Sequence, residues 1–100
     1  MKIILGNPGS GKTKELLKLS QDKKTPILCE SESRVERLLV KAQGYGYTIP
    51  TPITIDKAKS VDQVLIDDVE RFFYNQIGVK VSAITINRDT SVEVKDLDQR

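Results

Sequence analysis

The sequence predicts an α/β domain: a mostly parallel sheet of about five strands with helices on both faces, hence three layers. Two observations carry this. Short apolar runs bounded by turn residues alternate along the chain with segments of helical periodicity. The run Val64-Leu65-Ile66 has no polar alternation, the mark of a strand covered on both faces. The length of 100 residues limits the chain to one domain, expected over residues 1–94 with a polar tail over 95–100.

The elements follow in order. Residues 1–5, apolar except for Lys2, are the first strand. They run into Gly6-Asn7-Pro8-Gly9-Ser10-Gly11-Lys12-Thr13, which fits the phosphate-binding pattern G-x-x-x-x-G-K-[ST] at every fixed position. Residues 11–20 are the first helix, closed by the polar turn Gln21-Asp22-Lys23-Lys24. Residues 25–29 are a second strand. Ser31 or Ser33 can cap the next helix, Ser33 with Glu36 forming a capping-box pattern. Val35, Leu38, Leu39 and Ala42 share one face of that helix, and Gly44-Tyr45-Gly46-Tyr47 ends it. Pro50 and Pro52 block further helix. A short strand at 53–55, one helical turn at 56–60 and the apolar strand 64–66 come next. Residues 69–76 form a short helix closed by Gly78. Residues 79–87 alternate as a strand, 88–90 turn, and 91–94 are a final strand.

Each residue of the glycine loop has a physical task. Glycines let backbone N–H groups turn inward onto phosphate oxygens, and the start of the helix adds partial positive charge there. Lys12 can reach the β- and γ-phosphates, and the Thr13 hydroxyl can ligate Mg²⁺. The nucleotide contacts are thus expected from Gly6, Asn7, Pro8, Gly9, Ser10, Gly11, Lys12, Thr13 and Lys14. In a parallel sheet, ligands sit beyond the carboxyl ends of the strands. The glycine loop, Cys29-Glu30, Asp67-Asp68 and Asn87-Arg88 all fall at such ends. Val64-Leu65-Ile66-Asp67-Asp68 is the apolar-strand-then-acid pattern known as Walker B. Asp67 is expected to hold Mg²⁺ opposite Thr13, and Asp68 to orient or deprotonate an attacking water.

Composition excludes several chemistries. The chain has no histidine, so histidine acid–base catalysis and histidine metal sites are out. Its one cysteine, Cys29, permits no internal disulfide and no zinc cluster. Within Pro26-Ile27-Leu28-Cys29 it reads as a core residue, the alternative being a reactive thiol. A net charge of +2 does not by itself point to a polyanion partner. No leader pattern is visible, no run approaches membrane-spanning length, and a cytoplasmic location is expected.

The opening ILGNPGSGKTKELL resembles the start of bacterial-type thymidine kinases, and VLIDDVERFF resembles their strand–acid–acid–aromatic segment. The chain is similar over residues 1–87 to the additional-strand branch of the P-loop NTPases, which includes AAA+, RecA-like and helicase motors. The resemblance implies the three-layer αβα P-loop fold and ATP with Mg²⁺ as ligands. In that branch the second acid is usually glutamate; this chain has the shorter Asp68, with Glu70 as a possible substitute. The branch's polar sensor residue corresponds to Asn87, which reads equally as a turn residue. A zinc segment, a nucleoside lasso, a lid and a second core are all missing, leaving a minimal core similar to small phage-encoded ATPases.

The expected function is therefore a Mg²⁺-dependent ATP-binding protein or ATPase core with slow turnover, an accessory in DNA replication or recombination. The alternatives are a nucleotide-dependent switch or scaffold and, more weakly, a small-molecule phosphotransferase. Partners expected with it are a second copy of the chain, single-stranded DNA or a replication protein. An arginine completing the site is expected from another subunit, with Arg71, Arg88 and Arg34 as candidates. Tyr45 and Tyr47 can stack on bases or cover the sheet edge. Lys57, Lys59, Lys41, Arg34 and Arg37 form either a basic face or a solvated one. One of Phe72 and Phe73 belongs to the core, and the other is free for an assembly contact.

Overall fold

Residues 1–88 and 91–98 are described in a computed structural model. Asp89 and Thr90 of the expected turn, and Gln99 and Arg100 of the tail, lie outside the described residues. The elements are β1 (Lys2–Leu5), α1 (Lys12–Lys23), β2 (Leu28–Cys29), α2 (Glu32–Gly44), β3 (Ile53–Thr54), a 3₁₀ segment (Ile55–Ser60), α3 (Val69–Ile77) and β4 (Glu93–Asp96).

The expected five-strand, three-layer sheet does not form. The described residues give four short strands in two separate two-stranded parallel sheets, β1 with β4 and β2 with β3. This overturns the three-layer P-loop fold, although every strand pair is parallel. The losses are local. Pro26 lacks a backbone donor, and of the expected strand 25–29 only Leu28–Cys29 remains. Residues 64–66 contribute one parallel bridge, Ile27 to Leu65, held by Leu28 N–H on Leu65 O (2.7 Å) and Leu65 N–H on Pro26 O (3.0 Å). Residues 79–87 form no strand and lie largely exposed, with Ile84 67% accessible. Alternation gives them strand propensity, but propensity becomes structure only against a neighbour and a covered face. Three helices are too few to cover both faces of a five-stranded parallel sheet.

The last strand takes the place beside β1. Lys2 pairs with Glu93 and Leu5 with Asp96, so β4 starts and ends two residues later than the expected 91–94. Glu93 N–H donates to Met1 O (2.9 Å), and Leu97 N–H to Leu5 O (2.8 Å).

The core forms where α1 and α2 close on β2. Leu16, Leu17, Ile27, Cys29, Val35, Leu38 and Ala42 are buried together, with Ile4, Leu39, Tyr47, Ile49 and Leu65 packed around them. Leu17, Ile27 and Leu38 are essentially inaccessible; burying such side chains contributes about 1.5–3 kcal/mol each. Ser20, the buried polar residue of α1, donates to Thr25 O at 2.6 Å and so is satisfied. Ser31, not Ser33, caps α2, accepting from Arg34 N–H at 3.2 Å. Gly78 closes α3 with φ 76°, its N–H on Tyr74 O at 2.8 Å. Phe72 is buried; Phe73 is 39% accessible and meets it edge-on, ring centroids 5.7 Å apart.

Candidate functional site

The loop between β1 and α1 is built by backbone conformations that suit glycine. Gly9 (φ 83°) and Gly11 (φ 92°) are both left-handed, and Gly11 is the residue from which α1 starts. A Cβ on Gly6 would collide with Ser10 Oγ, so the loop closes over a bare α-carbon. Ser10 Oγ is itself buried and has no hydrogen-bond partner among the described residues. The Lys12 ammonium spans the loop, donating to Gly6 O (2.7 Å) and Asn7 O (2.8 Å). Asn7 N–H donates to the Asp98 carboxylate, which ties the segment after β4 to the start of the loop.

The first residues of α1 bring Thr13 to the acid that follows the Leu65 bridge. Thr13 Oγ1 donates to the Asp67 carboxylate, 3.2 Å from Oδ1 and 3.1 Å from Oδ2. Arg34, in the first turn of α2, donates from Nη2 to Asp67 Oδ2 at 2.7 Å. This ion pair is largely enclosed: the side chains are 14% (Arg34) and 10% (Asp67) accessible. Removing either partner would leave the other charge nearly buried and unpaired. Glu30, directly after β2, has a 9% accessible side chain and stands 3.8 Å from Arg71 Nε.

Asp68 does something different from its neighbour. Its backbone is left-handed (φ 56°, ψ 76°), a conformation that costs a non-glycine residue about 1–3 kcal/mol. That turn puts its carboxylate on Arg71 N–H (3.2 Å), where it caps α3. Glu70 is exposed in the first turn of the same helix. Asn87 lies exposed in the irregular stretch after α3, and no hydrogen bond joins it to Lys12, Thr13 or Asp67 among the described residues.

The structure thus brings together the glycine loop, Lys12, Thr13 and Asp67, and it adds Arg34. Asp68 is engaged in the α3 cap, and no hydrogen bond joins Asn87 to that cluster among the described residues. Arg71 faces Glu30, and Arg88 is exposed in the irregular stretch. Sequence reasoning missed the Arg34–Asp67 pair because it weighed Arg34 only as a surface cation or as an arginine offered to another subunit. The available signal was the α2 cap: Ser31 fixes the first helical turn at the carboxyl end of β2, which sends Arg34 toward the adjacent Asp67.

The two loop tyrosines have partners within the chain. Lys14 Nζ stands 5.2 Å from the centroid of the Tyr45 ring, and Tyr45 meets Tyr47 at 5.9 Å. Tyr47 packs on the core and Tyr45 is exposed. Lys41, Lys57, Lys59 and Arg37 are exposed. Cys29 is buried in the core; desolvation, and then the charge of Glu30, push its thiol up to about 11. No helix among the described residues is long and apolar enough to cross a membrane. Comparison with protein-family models, characterised proteins and solved structures finds no match.

Proposed function

We propose that the chain binds ATP with Mg²⁺ through residues 6–14, with Asp67 on the metal side, and turns it over slowly. The observation that carries this reading is the Thr13 hydroxyl resting on the Asp67 carboxylate, directly beneath a loop of left-handed glycines. A loop of this kind offers inward N–H groups to phosphate, and the unpartnered Ser10 Oγ is a further donor within it. Lys12 is already gathered at the loop by two carbonyls, and an anionic phosphate is a stronger acceptor for its ammonium than either.

The donor set suits magnesium. Among the described residues no three or more His, Cys, Asp or Glu side chains converge into a metal cage. Mg²⁺ takes one or two protein oxygens and completes its octahedron with phosphate and water, a demand that Thr13 and Asp67 can meet. When bound, the ion would be held by Thr13 and Asp67 and would offset the charge of the phosphates. Adenine is favoured over guanine because the sequence has no N-K-x-D motif.

One observation favours a low-turnover switch over a fast ATPase. The Asp68 carboxylate is engaged in capping α3. The proposal is tested by calorimetry with Mg-ATP. Wild type should bind, and Lys12→Ala should lose at least about tenfold in affinity through loss of a charge-assisted contact. Equal affinities in the two proteins would overturn it.

A further inference from the structure

The segment that includes β4 grips the glycine loop from both sides. Leu97 N–H donates to Leu5 O (2.8 Å), which brings residue 98 to the point where β1 becomes the loop. Asp98 N–H donates to the Asp96 carboxylate (3.0 Å), and Asp98 Oδ2 accepts from Asn7 N–H. Lys12 holds the other end of the same residue, donating to Asn7 O at 2.8 Å. On the far side, the Lys95 ammonium meets the Glu15 carboxylate in the first turn of α1. Residues 93–98 therefore touch the strand before the loop, the loop itself and the helix after it.

Two properties distinguish this segment from a simple brace. It is acidic: Glu93, Asp96 and Asp98 stand against Lys95 alone, whose ammonium is engaged by Glu15. A carboxylate on a loop N–H makes the same kind of charge-assisted contact that a phosphate oxygen makes. The segment is also lightly held. All four residues of β4 are exposed, and none of residues 91–98 belongs to the buried core. Segments with few buried apolar contacts open at low free-energy cost.

We propose that residues 93–98 are an autoinhibitory strap: the Asp98 carboxylate rests on the glycine loop as a resident anion, and an incoming phosphate chain displaces it. The proposal rests on the nucleotide-binding reading above and supplies that site with a regulator from within the chain. Two anions at one loop repel each other, so strap docking and phosphate binding oppose one another. By linkage the opposition is reciprocal: freeing the strap tightens phosphate binding, and bound phosphate loosens the strap by the same factor.

The experiment is calorimetric titration of the full chain with Mg-ATP, as wild type, Asp98→Ala, Asp98→Asn and Glu93→Gln, with amide hydrogen exchange at Leu97 read with and without nucleotide. Asp98→Ala should bind about threefold more tightly than wild type, the scale of one exposed charged contact. Asp98→Asn keeps an acceptor for Asn7 N–H without the charge, and should gain less. Glu93→Gln removes the same charge at the other end of the strap, and should gain less than Asp98→Asn. In wild type, saturating Mg-ATP should speed exchange of the Leu97 amide. Weaker or unchanged affinity in Asp98→Ala would show that the segment merely braces the loop and would overturn the proposal. So would an equal gain in Glu93→Gln, which would reduce the effect to bulk charge, or unchanged or slowed exchange at Leu97. If none of the four proteins binds Mg-ATP, the nucleotide reading falls together with the strap, an outcome distinct from binding without a gain.

Discussion

The Thr13 hydroxyl and the Asp67 carboxylate, 54 residues apart in sequence, meet at 3.1 Å. The pair couples the end of the glycine loop to the end of the Leu65 bridge, and each side chain carries an oxygen that could take a metal. Thr13→Ala and Asp67→Asn should each weaken Mg-ATP binding by about tenfold or more. In EDTA the same variants should bind ATP about as weakly as wild type does. Equal loss with and without magnesium in a titration would place the pair outside the metal site.

Asp68 should matter to α3 more than to the nucleotide. Asp68→Ala removes the cap and leaves a left-handed alanine, so it should destabilise the fold by about 1 kcal/mol or more in denaturant unfolding. Asp68→Asn keeps a capping oxygen and tolerates the left-handed backbone, and should be close to neutral. Nucleotide affinity should be unchanged in both. A large loss of affinity in Asp68→Asn with stability intact would give Asp68 a direct role in the site.

Cys29 links stability to alkaline pH. Its folded thiol is raised to about 11 from an ordinary value of 9.0, chiefly because burial disfavours the thiolate. A raised value means the stabilising difference is fully present below pH 9 and is lost as pH rises toward 11, because the unfolded chain ionises first. Wild-type stability should therefore fall more steeply across that window than that of Cys29→Ala. Parallel pH profiles for the two proteins would refute the linkage. The same burial predicts that a thiol reagent labels Cys29 only at the rate at which the core opens.

Turnover should be slow for the isolated chain. Asp68 caps α3, and among the described residues Asp67 is the acid that Thr13 contacts. Single-stranded DNA or higher protein concentration should raise phosphate release if a partner completes the site. Fast release independent of both would mean that the chain alone is a complete enzyme.

Legibility in the sequence followed the range of the interactions. The glycine loop, the start of the helix after it and the cap of α3 by Gly78 are local, fixed by residues within a few positions of one another, whereas α1 runs on to Lys23 through the turn expected at residues 21–24. The Thr13–Asp67 contact was readable because two motifs each carry their own chemistry. The sheet was not. Residues 79–87 and 64–66 have strand-like patterns, but strand formation depends on distant neighbours and on helices to cover both faces. The Arg34–Asp67 pair went unread for a related reason: it depends on which segment bridges Ile27, just before β2, and no local pattern encodes that.

The parallel pairing of β1 with β4 also fixes an order of events. Among the described residues β1 has no other ladder partner, and that partner lies about ninety positions downstream. During synthesis the glycine loop must leave the ribosome attached to a strand with nothing beside it. Closing so long a segment carries an entropic cost that local helix formation does not. The α1–α2 core can assemble early, while the strand that anchors the loop waits for residues 93–96. A nascent chain arrested before residue 93 should therefore hold a folded helical half and a glycine loop not yet anchored on one side.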